Sequence, residues 1–236
     1  MSKSKSYSDY AASIAAESSI VEHYHDFDDY DSTVLTDYKY SAHERVPGAV
    51  LRLLSPESAP RKLRVLDLGC GTGLSSEAFL RQHRHHVTGV DVSPQMLKQA
   101  ESRGFDELLL SGVDEAVALL QKTQRSFDAI VMLGVMEFVR EPAALLRQIA
   151  PLLQPDGRLG LAVPDKQPEA TERHWEILTH ELEPMKEALS AAGLSLEWSE
   201  AFLGYDLGSS KVGYQGMVWK APAAEQAAEA APASGS

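Results

Sequence analysis

Three glycines, Gly69, Gly71 and Gly73, follow the apolar run Val65-Leu66-Asp67-Leu68 and have an acid on either side: Asp67 just before them and Asp91 further on. Glycines at this spacing make a tight turn whose missing side chains let a ligand touch the backbone. A helix starting directly after the turn would add unpaired N–H groups. Asp91 closes the next apolar run, His86 to Val92, and an acid at that place suits the two hydroxyls of a ribose. Together these residues describe a site for a nucleoside-containing cofactor.

The spacing also bears on which cofactor. Dinucleotide sites place the third glycine three positions after the second, where it brings a helix close beneath a pyrophosphate. Leu74 holds that position here, and Gly73 comes one residue early. Asp67 is poorly placed for a pyrophosphate but well placed for a cationic amino group. S-adenosylmethionine has a ribose, an amino acid end and no phosphate, so charge favours it over a nicotinamide dinucleotide. Cys70 lies inside the turn and reads as a small filler, since no histidine adjoins it to activate a thiolate.

Other reactive side chains fall in two places. His23, His25, Asp26, Asp28, Asp29 and Asp31 make a dense acidic cluster that lacks the glycine and glutamate spacing of a calcium loop; a solvated acidic face is the expectation. Six of the eight tyrosines, Tyr7, Tyr10, Tyr24, Tyr30, Tyr38 and Tyr40, lie in the first forty residues. They either pack a lid against the remainder of the chain or enclose a bound cation with aromatic faces. Tyr24, His25, Tyr30, His43, Glu137 and His174 are the candidates for a catalytic base, with no preference among them.

Short apolar runs alternating with helical stretches must position these groups. Strands are expected at Leu63–Leu68, His86–Val92, Leu108–Leu110, Phe127–Leu133 and Arg158–Val163, then near Ser195–Leu203 and Val212–Lys220. Helices are expected from Leu74 to Gln82, after Ser93 and Pro94 up to Gly104, after Asp114, from Pro142 to Leu153 and from Pro184 to Ala192. Thr171 to Thr179 is ambiguous. Ser41 and Glu44 have capping-box spacing, but Pro47 argues for a helix beginning there, because an interior proline costs ~3 kcal/mol. Alternation of this kind implies a parallel sheet with helices on both faces, and the last two strands imply an antiparallel hairpin. The Pro/Ser-rich stretch 55–63 divides an N-terminal helical lid, 1–54 with 1–8 mobile, from a core, 55–220; a disordered Ala/Pro/Glu tail follows at 221–236.

Composition narrows the function classes. With 22 Lys and Arg against 34 Asp and Glu, the 236-residue chain has a net charge of −12 and repels nucleic-acid backbones and anionic membranes. It has no run of the ~20 apolar residues a membrane span needs, and its first residues lack the apolar stretch of a secretory signal. One cysteine excludes an internal disulfide. The expectation is a soluble cytoplasmic protein with a small-molecule partner, and with neither nucleic acid nor membrane as a partner. No metal site is expected.

The segments VLDLGCGTG (65–73), GVDVSPQML (89–97) and FDAIVMLGVMEFVREPAALLRQIAPLLQPDGRLGLAVP (127–164) closely resemble the class I S-adenosylmethionine-dependent methyltransferase family. The resemblance covers roughly residues 60 to 220. It implies a Rossmann-like, doubly wound, mostly parallel seven-stranded sheet, and methyl transfer to oxygen, nitrogen, sulfur or carbon of a small-molecule acceptor. It also implies a cofactor set: Gly69, Gly71 and Gly73, with Cys70 among them, around the methionine moiety, and Asp67 near its amino group. Asp91 would bind the ribose, Val92 and Met96 the adenine, and Leu133 and Gly134 would approach the sulfonium. Asp114 is displaced from the place where relatives carry an acid for the adenine amino group. Phe138 stands where many relatives have histidine. A non-catalytic cofactor-binding module, a nicotinamide dehydrogenase and an aminopropyltransferase remain as alternatives.

Overall fold

In the computed structural model the described residues are 29–54, 62–81, 85–164, 178, 180–206 and 211–224. Seven strands form one sheet: β1 Arg64–Leu68, β2 His86–Asp91, β3 Glu107–Leu110, β4 Phe127–Met132, β5 Leu153–Pro164, β6 Ser195–Asp206 and β7 Lys211–Lys220. Their order across the sheet is β3-β2-β1-β4-β5-β7-β6; the first five run parallel, and β7 lies antiparallel between β5 and β6. Among the described residues six α-helices longer than three residues accompany them: α1 Ala42–Leu54, α2 Glu77–Leu80, α3 Pro94–Ala100, α4 Val113–Lys122, α5 Pro142–Ile149 and α6 Leu182–Ala191. The doubly wound sheet and its terminal hairpin match the fold expected from the sequence. No helix among the described residues is long and apolar enough to cross a membrane.

Strand alternation sends side chains to opposite faces. On β1 and β4, Leu66, Leu68, Ile130 and Met132 pack with α4, α5 and α6 on one face, through Val117, Leu120, Leu146, Ile149, Met185 and Leu189. Val65, Ala129 and Val131 pack on the other face with Val50 of α1 and Phe79 of α2. Asp67 alternates with Leu66 and Leu68, and is therefore sent to the α1–α2 face at the carboxyl end of β1. Topology, rather than local polarity, buries this acid.

The helix signals hold where caps and turns decide the outcome. The Ser93 hydroxyl caps α3 by accepting from Met96 N at 3.3 Å, with Pro94 in the first turn, and Gly104 follows at φ +89°. Elsewhere packing overrides propensity. α1 starts at Ala42 and carries Pro47 inside it, against the expected start at Pro47. Full burial of Val46 and Val50, at about 1.5–3 kcal/mol each, offsets the ~3 kcal/mol of the proline. The Ser41 hydroxyl forms no capping box; it donates instead to Leu203 O on β6 at 3.0 Å. α1 packs on β4, β5 and β7, so this part of the expected lid is a layer of the core. Residues 1–28 of that segment, with Tyr7, Tyr10, Tyr24 and His25, lie outside the described residues.

Three further differences bear on the site. The expected helix from Leu74 contracts to the single turn α2, because residues 70–77 form a chain of tight turns, Gly73 N to Cys70 O at 2.8 Å and Ser76 N to Gly73 O at 3.1 Å. The turn signal at Gln154-Pro155-Asp156-Gly157 is a bulge inside β5, with Asp156 at φ +60°. The first residue of the expected tail is ordered: Ala221 is buried and its N–H donates to Gly157 O at 2.9 Å. Residues 225–236 and most of the ambiguous stretch 171–179, including His174 and Trp175, fall outside the described residues.

Candidate active site

The carboxyl ends of β1, β2 and β4 converge on the glycine turn. Gly69, Gly71 and Gly73 have φ of +74°, +53° and +95°, a region that costs other residues about 1–2 kcal/mol. Each glycine answers a different neighbour. A Cβ on Gly69 would stand 2.1 Å from Cγ2 of Val135, and one on Gly73 would stand 2.8 Å from Cδ of Arg103 and 2.7 Å from the Phe105 ring. A Cβ on Gly71 would meet nothing within 4 Å, so Gly71 faces open space.

Asp67 lies beneath the turn with no exposed surface. Its Oδ2 accepts from the hydroxyls of Ser75 and Ser76 at 2.5 and 2.7 Å, while its buried Oδ1 has no hydrogen-bond partner. Burial pushes its carboxyl up to about 6, against the lowering effect of both serines; the nearby charge of Asp91 adds to the rise. Asp91, at the end of β2, accepts from Gly71 N through Oδ2 and from Ser93 N through Oδ1, both at 2.8 Å. With a third backbone bond from Val92, they fix the carboxylate against the turn and leave it one acceptor site. Burial raises Asp91 too, and the backbone N–H bonds hold the rise back.

Glu137, in a short turn after β4, is 4% exposed. The Tyr214 hydroxyl from β7 donates to its Oε1, while Oε2 is buried and unpartnered. Burial pushes its carboxyl up to about 7, in spite of the Tyr214 bond. Tyr30 and Tyr40 lie near these carboxylates. The charges of Asp91, Glu137 and Asp31 act on Tyr30, and those of Glu137 and Asp67 on Tyr40; burial is the larger cause in both, and both phenols stay protonated. Tyr40 stacks between His43 (5.6 Å) and Tyr205 (4.7 Å), and its hydroxyl lies 3.9 Å from where a Cβ of Gly134 would be.

The structure thus brings together Asp67, Gly69, Gly71, Asp91, Gly134, Glu137, Tyr30 and Tyr40. Three of them are carboxylates, Asp67, Asp91 and Glu137, and none is in an ion pair among the described residues. The other expected residues flank these or are held by neighbouring elements. The Cys70 thiol is buried, and burial raises its pKa far above the ordinary thiol range. Its sulfur stands 2.8 Å from where a Cβ of Gly89 would be, so Cys70 offers the site only its backbone. Met96 is buried in α3, Val92 is half-buried beside Asp91, and Leu133 packs among Ala42, Val46 and Tyr214. Asp114 is half-buried in the first turn of α4, where burial raises its pKa. His43 is buried and its pKa is lowered, chiefly by that burial, so its ring is neutral. Of the acidic cluster, Asp29 and Asp31 are described, and no group of metal-ligating side chains occurs among the described residues.

Two participants escaped the sequence. Tyr214 is a buried tyrosine on an interior strand, and only the strand pairing aims its hydroxyl at Glu137. Arg103 follows α3 and carried no motif; its aliphatic stem covers Gly73.

Known proteins resemble this chain in sequence and in fold. Over 101 residues the chain is 40% identical to the ubiquinone biosynthesis O-methyltransferase of Xylella fastidiosa (strain 9a5c), a match covering 41% of this chain and 39% of that protein. The chain therefore spans well under two thirds of that relative's length. Among solved structures it is similar to 1,6-didemethyltoxoflavin-N1-methyltransferase of Burkholderia thailandensis, bound to 1,6-didemethyltoxoflavin and S-adenosylhomocysteine (TM-score 0.66, 22% identity, 94% and 93% of the two chains). It is also similar to magnesium protoporphyrin IX methyltransferase from Synechocystis PCC 6803 with bound S-adenosylhomocysteine (TM-score 0.61, 17% identity, 87% and 99%). At these identities the two structures speak for the fold. Residues 38–196, more than half the chain, match the family described as a methyltransferase domain, and the chain belongs to that family.

Proposed function

We propose that this protein transfers a methyl group from S-adenosylmethionine to a nucleophilic atom of a small-molecule acceptor held beneath Tyr30 and Tyr40. One observation carries this reading: the buried Asp67 and Glu137 and the half-buried Asp91, which holds Gly71 N, have no cationic partner among the described residues. Buried carboxylates without counter-charge are costly, and a cationic ligand relieves that cost. S-adenosylmethionine has an ammonium, a sulfonium and a ribose. The orphaned Oδ1 of Asp67 suits the ammonium, the acceptor site left on Asp91 suits a ribose hydroxyl, and Tyr30 and Tyr40 offer aromatic faces to a cation. The pyrophosphate of a nicotinamide dinucleotide would meet the same three carboxylates and be repelled.

When bound, the cofactor supplies a methyl group already activated by the sulfonium, so alignment is the main task left to the protein. Asp91 holds the glycine turn in place through Gly71 N. Tyr40, stacked on Tyr205, walls the acceptor side and excludes water. Glu137, held by Tyr214, takes the proton of an acceptor that arrives protonated; a carboxyl near 7 is matched to that task. A net charge of −12 supports a small acceptor over a nucleic acid, and a cytoplasmic setting belongs to the same proposal.

Calorimetric titration with S-adenosylmethionine, S-adenosylhomocysteine and NADH tests the reading. The first two bind and NADH does not; Asp91→Ala weakens the first two by about 1.5–3 kcal/mol, as expected for hydrogen bonds to a charged group. NADH binding that excludes S-adenosylhomocysteine would overturn it. Turnover over phenols, catechols and aromatic N-heterocycles then separates an enzyme from a cofactor-binding module.

A further inference from the structure

Asp31 lies outside the family match, in the short helical segment Tyr30–Ser32. Its carboxylate reaches back to the glycine turn: Oδ1 accepts from the Thr72 hydroxyl at 2.5 Å, and Oδ2 pairs with the Arg103 guanidinium. The stem of the same arginine lies across the bare face of Gly73, where a Cβ would stand 2.8 Å from Arg103 Cδ. Thr72 and Gly73, the last x-G of the motif, are thereby gripped from both sides by a closed circuit of Thr72, Asp31, Arg103 and Gly73. Glycine at 73 is required both by its φ of +95° and by the closeness of the Phe105 ring and the Arg103 stem.

At its other end the same segment is fastened to the terminal hairpin. Tyr38 O accepts from Asp206 N at 2.8 Å, and the Ser41 hydroxyl donates to Leu203 O at 3.0 Å. Residues 30–41 therefore form a strap across the carboxyl ends of the strands. Tyr30 and Tyr40 belong to it, and a π-helical turn, Thr33–Asp37, lies in its middle. The β6 end is tied through backbone and stacked rings. Among the described residues the Asp31 carboxylate ties its end through the Thr72 hydroxyl and a partly exposed ion pair, with 23% of the Arg103 side chain and 32% of the Asp31 side chain accessible.

We infer that Asp31 is a positioning residue that clasps the strap to the glycine turn, holding Thr72 and Gly73 in the form that receives the cofactor and setting how fast the cofactor leaves. The inference rests on the proposed function for the identity of the ligand. A purely structural Asp31 would lower stability alone. A clasp also changes ligand release and makes it sensitive to salt, because a half-exposed ion pair is screened.

The test follows dissociation of labelled S-adenosylhomocysteine by chase from the full chain at about 50 and 500 mM salt. Asp31→Asn and Arg103→Gln should each speed release about tenfold at low salt and remove the salt dependence of the wild type; Asp31→Glu should recover part of both. Release within twofold of wild type in both neutral variants, or an unchanged salt dependence, overturns the clasp, whatever happens to melting temperature. Should Asp31→Asn not fold, Thr72→Val, which removes the hydroxyl at nearly constant volume, carries the same comparison. If the wild type does not bind S-adenosylhomocysteine, the proposed function fails and amide exchange of residues 71–76 without ligand judges the clasp. Exchange about tenfold faster in Asp31→Asn supports it, and unchanged exchange overturns it.

Discussion

Replacing Asp67 with asparagine should make the free protein more stable and its cofactor binding weaker. The carboxyl is fully buried, two serine hydroxyls satisfy one oxygen and nothing satisfies the other, and burial lifts its pKa from 3.8 to about 6. The native state thus binds a proton between pH 4 and 6 that the unfolded chain has already lost. Stability therefore falls as pH rises through that window, and the loss is fully in place above pH 6. Two pKa units correspond to about 3 kcal/mol. The substituted amide carries no charge and forgoes that cost, so at pH 8 the variant should gain on the order of 1–3 kcal/mol, with no gain at pH 4. Urea unfolding at the two pH values measures the difference.

Binding should move the other way. An ammonium placed at Oδ1 needs Asp67 ionised, so affinity for S-adenosylhomocysteine in the wild type should be flat above pH 7. Below pH 6 it should fall roughly tenfold per pH unit as the free site takes up a proton. In Asp67→Asn this acid limb should vanish and the plateau affinity should drop about 10–100-fold, the range of a lost charge-assisted hydrogen bond. An acid limb that survives the substitution would refute the assignment of Asp67 to the ammonium. Loss of both stability and affinity at pH 8 would refute the idea that the site stores an uncompensated charge for its ligand.

Glu137 obeys the same rule in a higher window. With its pKa raised from 4.5 to about 7 it destabilises the native state as pH rises from 4.5 to 7, so Glu137→Gln should lead wild type in urea unfolding by about 3 kcal/mol at most at pH 8 and by little at pH 4.5. Tyr214→Phe takes the donor from Oε1 and should shift that window further upward, read by the pH at which the stability difference appears. Gly69→Ala and Gly71→Ala should part company. The first combines a left-handed φ with a 2.1 Å approach to Val135 and should cost at least about 3 kcal/mol of stability. The second faces open space, and should cost about 1–2 kcal/mol of stability while abolishing S-adenosylhomocysteine binding. Cys70, 3% exposed, should react with a thiol reagent only at the rate of unfolding.

How much of this was legible in the residues depends on the range of the interaction that decides each feature. The cap at Ser93, the left-handed Gly104, and the alternation that makes β1 and β4 buried strands act within a few residues, and each appears where the sequence places it. Pro47 misled because its cost is local while its compensation, Val46 and Val50 against β4, β5 and β7, comes from strands that follow far along the chain. The helix expected at Leu74 shortened for a similar reason: the hydroxyls of Ser75 and Ser76 turn back to Asp67, and a carboxylate buried by the topology of β1 outweighs helix propensity in a segment of polar and small residues. The acids Asp67 and Asp91 were legible because they neighbour the glycines in sequence or end the next strand.

Tyr214 and Arg103 were not legible, and the physical reason sets the order in which such a site is built. Tyr214 reaches Glu137 only because β7 inserts between β5 and β6, a consequence of the hairpin folding back antiparallel. Arg103 reaches Asp31 only because β3, which follows it, lies at the far edge beside β2 and carries the end of α3 over Gly73. Charge is therefore distributed by element order: the parallel strands supply the fixed carboxylates from their carboxyl ends, and the segments before and after them supply what closes over those carboxylates. The rings of Tyr40, Tyr205 and Tyr214 thus belong to the strap and the hairpin, while Asp67 and Asp91 belong to the parallel strands.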